Sequence, residues 1–158
     1  MINSELLQEV KKFFQTKKIK FEGEKEDGES FALVREELKS MLPNWYHEFL
    51  TEFPINGLII DLNVDTDDER SIEFVGFDGM QDEFYDLYPG CAIGNLGYLC
   101  IGEDPTGGGD PYFINVSEGD NPPVYQIYHD VSDVGEEIIQ EGREKIADQL
   151  SELFKVEP

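Results

Sequence analysis

The sequence predicts an α+β fold in a single domain spanning residues 1–158. The expected core is a mainly antiparallel sheet of about five strands, flanked by N-terminal helices and a C-terminal helix. Three observations carry this. Apolar residues recur at helical spacing through the first third of the chain. At Leu58 the pattern changes to β-forming runs separated by short turn-forming segments, and helical spacing returns after Gly135. Helices, then strands, then a helix describe segregated elements; a regular βαβ alternation would imply a parallel sheet instead.

In chain order, Leu6, Leu7, Val10, Phe13 and Phe14 form one stripe of a first helix, with Asn3 or Ser4 placed to cap it. The polar segment that follows contains Gly23 and Gly28 and reads as a loop, with room for a short strand at residues 19–21. Ser30 then caps a second helix with Phe31, Val34, Leu38 and Met41 on one face. Pro43 ends it, because the residue before a proline avoids helical angles, and is itself suited to open the next helix. That third helix presents Trp45, Tyr46, Phe49, Leu50 and Phe53 as an aromatic stripe, until Pro54 and Asn56-Gly57 stop it and turn the chain. LIIDLNV and SIEFVGF read as a β-hairpin around the turn DTDDER. Residues 78–96, rich in glycine and holding Pro89, read as irregular. GYLCIG, PYFINV and VYQIYH are three further strands. Ile138, Ile139, Gly142, Ile146, Leu150, Leu153 and Phe154 share one face of a closing amphipathic helix.

The chain carries 35 acidic residues against 12 lysines and arginines, a formal charge of -23. Nucleic-acid binding needs cations that displace counterions from phosphates, so this balance argues against it, and against an anionic membrane surface. It suits a soluble, monodisperse protein, or one that meets a basic partner. No apolar run approaches the ~20 residues of a membrane span. The N-terminus lacks the basic and then apolar pattern of a secretion signal. Cys91 and Cys100 make no disulfide framework and have no CxxC spacing. A cytoplasmic protein with reduced thiols is the expectation.

The stretch GEDPTGGGDPYF, residues 102–113, invites a phosphate-loop reading that its chemistry refuses. A phosphate loop feeds a helix N-terminus, whereas Pro111 and a strand-like aromatic run follow here. No lysine or arginine lies between Arg70 and Arg143, and Glu103, Asp104 and Asp110 would repel an anion. Gly107 to Gly109 read instead as a chain reversal that uses positive φ. Asp61, Asn63, Asp65 and Asp67 alternate as in a calcium loop. The sixth and twelfth positions hold Thr66 and Ile72 where that loop needs Gly and Glu, so the segment reads as a solvated hairpin turn. His47 and His129 have no nucleophile or metal partner at a recognisable spacing. No enzyme activity, cofactor or metal is expected.

Several stretches, read together, resemble the SUKH superfamily. Leu42-Pro43, then Tyr46 and Phe49-Leu50 in an aromatic helix, then Asn56-Gly57 leading into a strand, resemble that family's entry motif. Ile101-Gly102 and Gly109-Asp110 resemble its IG…GD hairpin, PVYQIYHD its next strand, and KIADQLSELF its closing helix. The resemblance is strongest over residues 31–154. Leu58 stands where the family often has a second glycine. The resemblance implies an α+β fold and a role in binding proteins. Many bacterial members are immunity proteins that block a cognate toxin, often a nuclease, and fungal relatives regulate cell-wall synthesis through protein contacts. It therefore implies a non-catalytic protein whose partner is a basic toxin domain encoded nearby, with a general regulatory or scaffold module as the alternative. On this reading the contact groups are Glu103, Asp104 and Asp110 around the glycine loop and Asp65, Asp67 and Asp68 in the hairpin turn, expected exposed because they lie in turns.

Overall fold

The computed structural model describes residues 1–16, 23–62, 70–106 and 109–155. Helix α1 (Ser4–Gln15) begins at Asn3, whose side chain accepts hydrogen bonds from the backbone N–H groups of Glu5 and Leu6. Two of the donors that a helix start leaves orphaned are thereby satisfied. The second predicted helix is divided into α2 (Gly28–Ala32) and α3 (Glu36–Met41). Its cap is Asp27, not Ser30; the Asp27 carboxylate accepts from the Ser30 N–H at 2.8 Å. The ladder breaks because the Arg35 N–H donates to Gln81 Oε1 at 2.8 Å instead of to a helical carbonyl. Val34 and Leu38 remain buried, so the predicted apolar face survives the break. Helix α4 (Asn44–Glu52) follows Pro43 and buries Trp45, Tyr46, Phe49 and Leu50.

Asn56 and Gly57 join helices to sheet. Asn56 exchanges two backbone hydrogen bonds with Glu24, and its side-chain amide donates to Glu26 Oε1. Gly57 sits at φ 89°, where a Cβ would be strained, and its N–H donates to the Phe74 carbonyl.

Strands β1 (Ile59–Leu62), β2 (Arg70–Phe74), β3 (Tyr98–Glu103), β4 (Tyr112–Asn115), β5 (Val124–Ile127) and β6 (Arg143–Ala147) lie side by side in chain order. Every neighbouring pair is antiparallel. Among the described residues the sheet therefore has six strands, one more than expected. The segment expected to be irregular contains helices α5 (Phe77–Tyr85) and α6 (Gly90–Ile93) and a 3-10 turn, Gly94–Leu96. Phe77 and Met80 bury the inner stripe of α5, which lies against β3. The residues assigned to one closing helix divide into α7 (Gly135–Gly142), β6 and a 3-10 turn, Leu150–Phe154. The reason is long-range. β5 needs a hydrogen-bonding neighbour on its far side, and the backbone of residues 143–147 supplies it, from Val124 opposite Ala147 to Ile127 opposite Arg143.

Phe154, from that last turn, closes the core. Its ring lies 5.6 Å from Phe13, 5.7 Å from Phe49 and 5.5 Å from Phe74, so α1, α4 and β2 share one aromatic cluster. Strand β6 and the closing turn thus serve the sheet and the core in place of a single helix. The predicted strand at residues 19–21 and the predicted hairpin turn DTDDER, apart from Arg70, which begins β2, lie outside the described residues.

Candidate functional site

An open cleft of about 660 Å³ lies between the start of β2, the loop joining β3 to β4, and the end of β5. Its floor follows from strand register. Tyr112 stands opposite Gln126, and Gln126 opposite Glu144, which sets three polar side chains in one row across β4, β5 and β6. Arg70 reaches over this row from β2. Its guanidinium donates to Gln126 Oε1 at 3.1 Å and forms an ion pair with Glu144. That pairing raises the Arg70 pKa further. The Tyr128 hydroxyl donates to Glu144 as well, and the Tyr112 hydroxyl donates to the Ser71 carbonyl. Burial pushes the Tyr112 phenol up to about 12, so it remains a donor throughout the ordinary pH range.

The loop wall is built by two aspartates with structural duties. Asp104 accepts from the Thr106 N–H at 2.9 Å and from its hydroxyl at 2.8 Å, closing a turn. Gly109 comes so near that a Cβ there would fall 2.0 Å from Asp104 Oδ2. Close approach, not a left-handed backbone, is what requires glycine at position 109: Gly57, Gly97 and Gly119 are the glycines at positive φ among the described residues. Gly107 and Gly108 lie outside them. Asp110 accepts from the His129 N–H at 3.0 Å and meets the His129 ring Nδ1, while its backbone carbonyl accepts from the Gln126 amide.

Asp110 holds the His129 imidazole protonated to higher pH than usual, first through this hydrogen bond and then through its charge. Asp110→Asn is expected to bring the His129 pKa down towards its ordinary value in an NMR titration. An unshifted titration would contradict the pairing.

The expected exposure of the loop acids is therefore corrected in part. Glu103 is exposed, at the end of β3 opposite Glu73, and its pKa is raised by burial and by that like charge. Asp104 and Asp110 are half-buried, because both tie down the loop. Asp65, Asp67 and Asp68 lie outside the described residues. The floor groups Arg70, Gln126, Tyr128 and Glu144 were not singled out from the sequence. They stand 56 and 74 positions apart at their main contacts, so no local motif announces them.

The cleft offers fixed donors and acceptors suited to a polar chain. The Ser71 and Thr106 hydroxyls donate to carboxylates, Asp61 and Asp104. Among the described residues no three His, Cys, Asp or Glu side chains converge in a group that could hold a metal. No described helix is long and apolar enough to cross a membrane.

Against known proteins, the model of the SMI1 / KNR4 family (SUKH-1) matches residues 26–155. No curated protein and no solved structure matches the chain.

Proposed function

The chain belongs to the SMI1 / KNR4 family (SUKH-1), and on that premise we propose that it is a protein-binding module, specifically an immunity protein that occupies and blocks a basic toxin domain. It acts by covering its partner and carries out no reaction of its own. The observation that carries this is the acid excess, a formal charge of -23 over 158 residues. Arg70 is matched by Glu144, Arg35 lies 4.3 Å above the Tyr85 ring, and Arg143 donates to the Tyr98 hydroxyl over the Tyr125 ring. Arg70 is thus offset by a carboxylate, while the exposed Arg35 and Arg143 keep their charge; the field presented to an approaching protein is negative because 35 acidic residues outnumber 12 lysines and arginines. A nuclease must be basic where it holds phosphates, and an acidic inhibitor both fits that groove and is drawn to it.

The test is co-expression with the toxin domain encoded by a neighbouring gene. The expected result is survival of cells that the toxin alone kills, together with a complex recovered at micromolar concentration. Equal killing with and without this chain, and no complex, would contradict the immunity role. A regulatory binding module, the role of the family's fungal members, would then account for the same surface.

A further inference from the structure

The apolar surface is unevenly distributed. Seven large hydrophobic residues are exposed among the described residues, and five of them (Leu87, Tyr88, Leu96, Val131 and Val134) flank the helix pair α6 and α7. These two helices are in contact. At the start of α7, a Cβ on Gly135 would fall 2.3 Å from the Ala92 carbonyl oxygen and 3.4 Å from a Leu96 methyl. At its end, a Cβ on Gly142 would fall 2.9 Å from a Val131 methyl. Gly135 is needed for this close seating of α7 on α6, which puts the start of α7 beside Leu96, and Gly142 leaves room for Val131 beside the far end of α7. Eight residues of helix separate those ends by only about 12 Å. Leu87 turns directly into α6, its carbonyl accepting from the Cys91 N–H at 2.8 Å. Exposed apolar residues gathered in this way mark an interaction surface more often than scattered ones do.

The rim of this patch fixes the chemistry of its occupant. Asp86, Asp130, Asp133, Glu136 and Glu137 are all exposed around it. From residue 71 to residue 142 the sequence holds no lysine or arginine. A second copy would set like rims against each other, and an anionic membrane would be repelled. We infer that the α6–α7 face is the docking surface, and that its occupant is a protein with an apolar centre ringed by lysine and arginine. This rests on the protein-binding function proposed above and assigns it a face separate from the β3–β4 cleft. Apolar contacts at the centre hold the complex, and the acids around them set orientation and speed of encounter.

The first probe is a synthetic amphipathic helix with leucine on one face and lysine on the other, titrated into the full chain and followed by backbone amide NMR. Shifts concentrated at residues 86–96 and 130–137 are expected. Leu87→Ser with Val134→Ser should weaken binding at least tenfold while changing the melting midpoint little, since both side chains are more than half exposed. Replacing the peptide's leucines by serine should weaken it equally. Shifts centred on the cleft, undiminished binding by the double variant, or a stable dimer formed through the patch would overturn the assignment. The second probe is the neighbouring toxin domain. A complex that survives the double variant removes the face but leaves the immunity role standing, whereas the absence of any complex with the wild-type chain removes that role and leaves the peptide result to decide the face.

Discussion

Replacing Phe49 by alanine is expected to lower the free energy of unfolding by about 3–5 kcal/mol. Phe49 is fully buried on α4, with ring centroids 5.7 Å from Tyr46, 6.3 Å from Phe53 and 5.7 Å from Phe154. Removing the ring loses apolar transfer energy and leaves a cavity bounded by rigid aromatic neighbours, which cannot collapse easily into it. Phe53→Ala, at a half-buried position on the end of the same helix, should cost clearly less. Urea unfolding measures both. A loss below about 1 kcal/mol for Phe49→Ala would mean that α4 presents a different face to the core.

The second large effect is a gain. Glu83 lies on α5 and is 7% exposed; burial raises its pKa from 4.5 to about 7. The Gly90 N–H donates to its Oε1 at 3.1 Å and opposes the shift, Glu103 adds to it, and His129 lowers it. The folded state therefore holds this proton more tightly than the unfolded chain does. Between about pH 4.5 and 7 the folded protein binds more protons, so its stability falls as pH rises through that window and levels off above it. A shift of this size amounts to about 2–3 kcal/mol once partial access of water is allowed for. Glu83→Gln keeps an acceptor for the Gly90 N–H and never ionises. It is expected to match the wild type near pH 4 and to exceed it by that amount at pH 8. Parallel stability profiles for the two proteins across pH 4–8 would show that Glu83 is solvated in the folded state.

Local patterns made part of the fold legible. The aromatic stripe of α4, the Asn3 cap of α1 and the β1–β2 hairpin all arise from residues within one element or one turn, where spacing and side-chain chemistry decide the outcome. The closing segment did not behave in this way. Ile138, Ile146 and Phe154 fit a helical period, yet residues 143–147 pair with β5, because an unpaired strand edge is satisfied only by a distant backbone. Helix α5 escaped notice since Gly76 and Gly79 weaken a helical pattern that Phe77 and Met80 supply through tertiary burial. At the cleft, sequence supplied Asp104 and Asp110 but expected them exposed, whereas they are half-buried. Turn position suggested free acids, whereas each is fixed by partners: Thr106 two residues along, and His129 19 positions away. Arg70 and Glu144 meet only because the three intervening strands bring β2 and β6 into one curved surface.

Charge and patch together give a division of labour. Under the proposed function and docking face, the acid excess would govern how fast a basic partner arrives, and the α6–α7 apolar centre how long it stays. The most direct measurement of the central claim is the association rate between this chain and the neighbouring toxin domain as ionic strength is raised from about 20 mM to about 500 mM, where the Debye length shrinks severalfold. The account predicts a fall in association rate of at least tenfold with little change in dissociation rate. An association rate indifferent to salt, or no complex at micromolar concentration even at the lowest salt, would contradict it.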